Sequence, residues 1–263
     1  MPKYTLHGVP LSQPFRATAW ALLQKRVPFA IKIAVPGVKN RGGTLADDFR
    51  AKSPLGVIPL LEDADTGFML GEAPAQLTYL AEAHGWSDLY PTEPMARAKV
   101  CSYMSWHHNA TRQVAFLNTP IIRPDMPQPS DEELAARHAK ADSVLATLAD
   151  GWLGGAGAGS TVGGIGRGGF LGGAESATIA DLLCYEEVVQ VSPRYANVLD
   201  VSAHPRLEAW FDRMAGLPYH DAAHASIEAL GDLRAPNEVP IGKRLGAATK
   251  AGLTAYAEAQ AAL

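Results

Sequence analysis

The sequence predicts an α/β N-terminal domain followed by an all-helical C-terminal domain. Its first part alternates between short β-rich runs and stretches whose apolar residues recur at helical spacing. A segment dense in helix breakers and bulky aromatic residues follows, and no convincing strand comes after it. We therefore expect an N-terminal domain at 1–84, a linker at 85–95, a helical domain at 96–235 and a C-terminal extension at 236–263.

Composition excludes several classes of protein. The chain has 263 residues, 47% of them apolar, which suits one large or two ordinary globular domains. A net charge of −4 argues against a nucleic-acid surface. No apolar run approaches about 18 residues, so no membrane segment is expected. Cys101 and Cys184 form no disulfide framework and lie in helical patterns, which predicts buried, reduced thiols and a cytoplasmic location.

The N-terminal domain is predicted to have the thioredoxin-like layout, in which a βαβ half is joined to a ββα half. The turn Asp63–Gly67 makes the last two strands a hairpin. Strands are expected near 3–7, 29–34, 58–62 and 67–71, and helices near 14–26, 44–52 and 72–84.

Ser12 lies where the first strand gives way to the first helix. Gly8 and Pro10 end the β-rich run Tyr4–His7, and helical spacing begins at Pro14. Ser12 is therefore predicted to be the N-cap, close to unsatisfied backbone N–H groups where an anion such as a thiolate is favoured. An ordinary capping role is the alternative.

The run Gly56-Val57-Ile58-Pro59 stands immediately before an apolar strand. A proline at the first position of a strand cannot donate a hydrogen bond to the sheet. Pro59 is therefore predicted to follow a cis peptide bond and to leave the neighbouring strand edge free.

The C-terminal part shows clear helix starts. Ser130 precedes acidic first-turn residues, and Thr178 with Asp181 forms a variant capping box. Leu245, Ala248, Leu253, Tyr256 and Ala257 suggest a terminal helix. The other helices are expected near 95–117, 131–150, 178–192, 204–215 and 218–231.

In their order and spacing, these motifs resemble the glutathione transferases, over residues 3 to 232. Leu11-Ser12-Gln13-Pro14 resembles the catalytic serine motif of the theta class, and Gly56–Pro59 the family's cis-proline loop. Leu70–Ala73 resembles the turn that holds the γ-glutamyl end of glutathione. Leu89–Pro91, Ala96–Ala98, Trp106-His107 and the Phe170–Gly173 and Thr178–Leu182 runs resemble the helical domain.

The resemblance implies a role for each matching residue. Ser12 would donate a hydrogen bond to the glutathione sulfur, and Ile58, before Pro59, would pair through its backbone with the cysteinyl part. Glu72, beside Ala73, would accept the γ-glutamyl ammonium. Arg112 and Asn109 would lie on the electrophile side. For Glu72 and Arg112, favourable first-turn charge and an ordinary solvated arginine are the respective alternatives.

Four positions depart from the family pattern. Thr44 and Val57 stand where cationic or polar residues are common, Ala73 replaces a serine, and Asn109 replaces an aspartate that reaches across the dimer. Since these changes remove charged or hydroxyl contacts, we expect weak glutathione binding, concentrated at the γ-glutamyl and cysteinyl parts.

The resemblance implies a homodimeric transferase that joins glutathione, as co-substrate, to small electrophiles. A glutathione-dependent ether-cleaving or peroxide-reducing enzyme and a non-catalytic binding or scaffold protein are the alternatives. No metal is expected. His220 and His224 have the i, i+4 spacing of a zinc pair, but no third ligand or catalytic glutamate accompanies them in the sequence.

Residues 151–173 include twelve glycines among twenty-three residues. Gly164–Gly169 formally matches the pattern GxGxxG, but dinucleotide binding would need a preceding strand, and the sequence shows none. A flexible surface insertion is the preferred interpretation.

Deleting much of 154–169 should therefore leave stability and activity nearly unchanged, because this composition offers little apolar surface for packing. Thermal denaturation of the shortened protein checks this expectation. A large fall in melting temperature would show that the segment packs specifically.

Overall fold

The N-terminal part is a four-stranded mixed sheet with the order β2-β1-β3-β4. The computed structural model describes residues 2–154 and 168–263. β1 is parallel to β2 and antiparallel to β3, which is antiparallel to β4. These βαβ and ββα halves confirm the predicted thioredoxin-like layout. The elements are β1 (Tyr4–Gly8), α1 (Gln13–Gln24), β2 (Phe29–Ile33), α2 (Asp47–Arg50), β3 (Leu60–Asp63), β4 (Phe68–Leu70) and α3 (Ala73–His84).

The rest of the described chain is helical, which confirms the predicted fold class. Trp86, Leu89 and Tyr90, in the segment before the first of these helices, are buried. No helix in the described ranges is both long and apolar enough to cross a membrane. The helices are α4 (Pro94–His107), α5 (Thr111–Ala115), α6 (Thr119–Ile122), α7 (Asp131–Ala146), α8 (Ile179–Val189), α9 (Pro205–Ala215), α10 (His220–Leu230) and α11 (Ile241–Ala261).

Helix α8 is the centre of the helical part, and every one of its residues is buried. Its start is fixed by the predicted capping box, in which the carboxylate of Asp181 accepts hydrogen bonds from the backbone and hydroxyl of Thr178. The same carboxylate accepts from the Leu171 N–H at 2.9 Å and from Trp210 Nε1 at 3.0 Å. Asp181 therefore joins three separate segments of the chain.

The helix predicted over 95–117 is broken. α4 ends at His107, Ala110 has φ −129° and ψ −94°, and α5 begins at Thr111. The Thr111 hydroxyl lies 2.8 Å from the Tyr103 hydroxyl and 3.0 Å from His107 Nδ1, inside the core. Gln113 donates to the carbonyl of His108, one of the groups that the break leaves without a helical partner. These contacts are local, and the hydrogen bonds from Arg112 to Glu187 tie α5 to the separate helix α8.

Two other helices are shorter than predicted. The expected helix over 44–52 is reduced to the single turn α2 because Thr44 turns inward, and its hydroxyl accepts a hydrogen bond from the Gly37 N–H. The expected helix over 131–150 ends at Ala146. A π-helical turn follows and brings Trp152 into the core.

The insertion predicted over 151–173 includes residues at both of its described ends that pack into the protein. Trp152, Phe170 and Leu171 are buried, and the Gly169 carbonyl accepts a hydrogen bond from Arg213. The remaining part, 155–167, which includes most of the GxGxxG match, lies outside the described residues.

One cysteine differs from expectation. Cys184 is buried, but Cys101 is exposed on α4, with its sulfur 3.2 Å from the Tyr90 hydroxyl. Burial raises the pKa of the Cys184 thiol well above its usual value, which suits an unreactive thiol.

The capping boxes of α7 and α8 allow a matched test of this architecture. Asp181→Ala should cost about 3 kcal/mol of unfolding free energy or more, because it leaves several buried donors without an acceptor. Ser130→Ala removes the exposed box of α7 and should cost about 1 kcal/mol. Urea denaturation measures both values. Equal losses would contradict the central role of Asp181, and Asp181→Asn provides a milder variant.

Candidate active site

The sheet register brings the predicted site residues to one edge of the sheet, the one at which β1 and β4 end and β3 begins. The C-terminal end of β1 pairs with the N-terminal end of β3, through His7 and Leu60, and the C-terminal end of β4 lies beside them. Ser12 follows β1, Ile58-Pro59 precedes β3 and Glu72 follows β4. A side chain on Gly8 would approach Phe15 to 2.7 Å and Ile58 to 3.5 Å, so the first two segments are in close proximity.

Ser12 is at the N-cap of α1, as predicted, but its side chain makes no capping hydrogen bond. Its backbone is held on both sides, because the Ser12 N–H donates to Val9 and the Ser12 carbonyl accepts from Arg16. The residue is half-buried. Within the described structure its hydroxyl is therefore free to donate a hydrogen bond at the positive end of a helix.

The Ile58-Pro59 peptide bond is cis, which confirms the expectation from the sequence. Pro59 is buried, and its carbonyl accepts a hydrogen bond from the buried side chain of Gln76. Neither the N–H nor the carbonyl of Ile58 has a partner within the described ranges. This stretch of backbone can accept a peptide as an added strand.

Glu72 occupies the turn before α3 with a positive φ of 61°. Non-glycine residues rarely adopt such a conformation, and it is often found at ligand sites. The side chain is 53% exposed, and its carboxylate lies 3.7 Å from His108 Nε2. Ala73 is buried at the first position of the helix.

His108, in the break after α4, lies near Glu72. The two predicted electrophile-side residues follow, Asn109 in the break and Arg112 on α5. Asn109 is exposed, and its side chain makes no hydrogen bond to any described residue. Arg112 is 30% exposed and donates to both carboxylate oxygens of the buried Glu187, at 3.1 and 3.2 Å. Its guanidinium also lies over the ring of Phe116. Arg112 is thus held in place by a buried carboxylate.

A basic residue that the sequence analysis did not select lies beside the cis-proline loop. A Cβ on Gly56 would come within 3.2 Å of Arg50 Nη1 and 3.3 Å of Arg50 Cδ, so the arginine passes directly alongside this glycine. The exposed Arg50 guanidinium has no ion-pair partner in the described parts of the chain.

Lys52, close to Arg50 in sequence, forms an ion pair with Glu62. Its ammonium donates to Glu62 at 3.2 Å, and the same carboxylate oxygen lies 2.7 Å from His7 Nε2. Burial raises the pKa of Glu62, but its hydrogen bonds to His7 and Lys52 outweigh burial and hold the pKa below its usual value. Thr44 and Val57 supply no charge, so Arg50 is the cation best placed beside this loop.

The histidine pair on α10 is engaged in other contacts. His220 and His224 stack with ring centroids 4.2 Å apart; His220 Nε2 lies 2.9 Å from the Tyr185 hydroxyl. His224 Nε2 lies 3.1 Å from the buried Glu186. In the ranges 2–154 and 168–263, no group of three or more His, Cys, Asp or Glu side chains is arranged to hold a metal.

Sequence reasoning missed Arg50, His108 and Arg16. A signal existed for Arg50, because it lies in the last turn of a predicted helix six residues before Gly56. Arg16 was hidden in an apolar helical pattern. Its fully buried guanidinium donates to the carbonyls of Pro10 and Leu11, just before Ser12.

Comparison with known proteins shows the family of the chain. Residues 6–91 match the family model described as glutathione S-transferase, N-terminal domain. Glutathione S-transferase theta-1 of Bos taurus is 30% identical over 217 residues, which cover 78% of this chain and 79% of the relative. The Homo sapiens theta-1 protein matches with the same identity and coverage.

Solved structures agree as well. A human theta-class glutathione transferase in complex with the glutathione conjugate of 1-menaphthyl sulfate superposes with a TM-score of 0.74 and 26% identity, covering 97% of this chain and 98% of that one. The apo form of human glutathione S-transferase T1-1 superposes with a TM-score of 0.70 over 96% of this chain and 99% of that one. The fold, the sheet-edge site and these similarities lead to one conclusion: the chain belongs to the glutathione S-transferase family and is theta-like.

Proposed function

We propose that this protein is a glutathione transferase that activates the glutathione thiol with the hydroxyl of Ser12. The observation that carries the proposal is the Ser12 side chain, which lies at the start of α1 without making a capping bond. An N-cap serine normally uses its oxygen to accept from the helix backbone. Here the hydroxyl remains available to donate to a sulfur.

The chemical task is to favour the thiolate. A hydrogen bond to the charged form of an acid lowers its pKa, and the N-terminus of α1 adds a favourable potential for negative charge. The thiolate then attacks an electrophilic carbon, the carbon–sulfur bond forms, and the leaving group departs with its electron pair. No nucleophile from the protein is needed.

Each of the three parts of glutathione has a proposed partner in the site. The unpaired N–H and carbonyl of Ile58, before Pro59, suit the cysteinyl part. Glu72, beside Ala73, suits the γ-glutamyl ammonium, because it is an exposed carboxylate at the same edge of the sheet. Arg50 suits the glycine carboxylate, and it offsets the loss of charge at Thr44 and Val57.

The electrophile is proposed to lie on the side of the helical part. There the ion pair with Glu187 would make Arg112 a fixed wall of the site, with Asn109 at its rim. Small alkyl or aryl halides are suitable first substrates, because they need only an in-line approach of the thiolate. We further propose that the protein acts as a cytoplasmic homodimer.

Ser12→Ala should reduce turnover of a generic halide by roughly 10²-fold, the scale for losing one positioned donor to a stabilised anion. The melting temperature should barely change, since the Ser12 side chain caps nothing. Steady-state kinetics at neutral pH and thermal denaturation provide the two measurements.

Ser105→Ala is the matched control, because it removes a hydroxyl from an exposed helical serine that donates its hydrogen bond to the Cys101 carbonyl of its own helix. It should retain wild-type turnover. Wild-type turnover in the Ser12→Ala variant would refute the serine mechanism.

Arg50→Gln should weaken glutathione binding about tenfold, because a hydrogen bond to a charged group contributes roughly 1.5–3 kcal/mol. Lys140→Gln, at an exposed position on α7, serves as a charge-matched control and should have little effect. Isothermal titration calorimetry gives both affinities.

Amidating the glycine carboxylate of the ligand should weaken binding to the wild type but not further weaken binding to Arg50→Gln. If amidation costs both proteins equally, another cation binds the carboxylate. If it costs neither protein anything, the contact-loss expectation from Val57 and Thr44 holds instead.

A non-catalytic binding protein on the same fold is the alternative from another class. Retention on immobilised glutathione without turnover of any aryl halide, alkyl halide or peroxide would favour it.

A further inference from the structure

The segment Pro10-Leu11, immediately before Ser12, is held from outside the sheet. The Pro10 carbonyl accepts a hydrogen bond from the hydroxyl of Ser226 on α10 at 2.8 Å. Arg16 Nη1 donates to the Pro10 and Leu11 carbonyls at 3.3 and 2.9 Å. Pro10 and Ser226 are buried, so water does not compete for the hydrogen bond between them.

The C-terminal helix α11 touches the same segment. A Cβ on Gly252 would lie 2.6 Å from Pro10 Cβ and 2.9 Å from Ser226 Cβ, distances that real side chains do not tolerate. Gly252 is not at a turn, and glycine is a poor helix former. Its presence in the middle of a long helix is explained by this close approach.

Helix α11 is itself fixed to the N-terminal domain. Tyr256 is fully buried and packs edge-on against Phe15 of α1 and Phe29 of β2, with ring centroids 6.0 and 6.1 Å away. Gln260 accepts a hydrogen bond from the Phe29 N–H at 2.8 Å. The helix therefore packs closely against the domain that carries Ser12 and is not a loosely attached extension.

A displacement of Pro10 would be transmitted to Ser12. The Ser12 N–H donates to the Val9 carbonyl at 2.9 Å, so residues 9–12 form one tight turn with Pro10 and Leu11 in its middle. The Ser12 hydroxyl has no partner in the described structure that would hold it independently. Its direction is thus set by the backbone of this turn.

We propose that Gly252 and Ser226 are positioning residues for Ser12. In this proposal, the packing of α11 and α10 against Pro10 fixes the position of the Val9–Ser12 turn. This inference rests on the proposed role of Ser12 in activating the thiol. Neither residue contacts the reacting atoms. Their effect would pass through the backbone of the Val9–Ser12 turn.

Gly252→Ala and Gly246→Ala form the matched pair that tests the proposal. Both make the same change in α11, but a Cβ at Gly246 meets nothing within 4 Å. The measurements on the full-length protein are kcat and KM for a generic halide, glutathione affinity by calorimetry, and the pKa of bound glutathione from the ultraviolet absorbance of its thiolate.

Gly252→Ala should lower kcat about tenfold and raise the pKa of the bound thiol by about one unit, the equivalent of a tenfold loss of thiolate preference. Measured at a pH below the pKa of the bound thiol, where neutral glutathione binds, the affinity should stay within about twofold, because the substitution removes no contact with the ligand. Gly246→Ala should keep wild-type values, with a slightly higher melting temperature from better helix propensity.

Ser226→Ala keeps the proposal testable if Gly252→Ala folds poorly, because it removes one hydroxyl and introduces no clash. It should shift kcat and the bound thiol pKa in the same direction, by a smaller factor. If the alanines at 252 and 246 impair turnover equally, or if Gly252→Ala raises KM alone, the positioning role is wrong. The same holds if folded Gly252→Ala and Ser226→Ala variants match the wild type.

Failure of the underlying function has a different signature. A wild-type protein that does not bind glutathione, or a Ser12→Ala variant with full turnover, would refute the role of Ser12 itself. A wild type impaired by Ser12→Ala, but not by Gly252→Ala or Ser226→Ala, would refute only the positioning role.

Discussion

Arg16 and Glu186 form an ion pair in which both side chains are fully buried, with Arg16 Nε donating to Glu186 Oε2 at 2.6 Å. The pair joins α1 of the sheet domain to α8, the central helix of the helical part. Gln190 accepts a further hydrogen bond from the same guanidinium at 2.7 Å. Removing one partner of such a pair typically costs about 3–5 kcal/mol, since the other charge remains buried. The position of the sheet domain relative to the helical part depends on this ion pair.

The electrostatics of the pair are balanced locally. Burial raises the pKa of the Glu186 carboxyl, but its interactions with His224 and Arg16 outweigh burial and keep the pKa below its usual value. The next residue of α8, Glu187, holds Arg112, the residue proposed for the electrophile side. Two consecutive glutamates thus anchor one arginine from the first helix and one from α5, and the site lies at a junction stabilised by buried charge.

Local sequence signals predicted much of the fold and several backbone features of the candidate site. The N-cap position of Ser12, the cis peptide at Ile58-Pro59 and the capping box of Thr178 and Asp181 were recognised because each depends on a few neighbouring residues. Expectations failed where contacts between separate elements decide. After the break at His107, α5 is tied to α8 by the hydrogen bonds from Arg112 to Glu187, and the exposure of Cys101 depends on the orientation of α4 relative to its neighbours. Neither is encoded in a short window of sequence.

By itself, the sequence determined the order of strands and helices, the turn that presents Ser12 and the loop that presents Ile58, because periodicity, caps and prolines act over a few residues. Only the tertiary structure decided which charges meet. It paired Arg16 with Glu186 and Arg112 with Glu187, and it placed Gly252 against Pro10 across more than 240 positions of chain. The physical reason is that packing selects contacts by shape and charge in three dimensions, whereas sequence patterns report only what neighbours along the chain prefer.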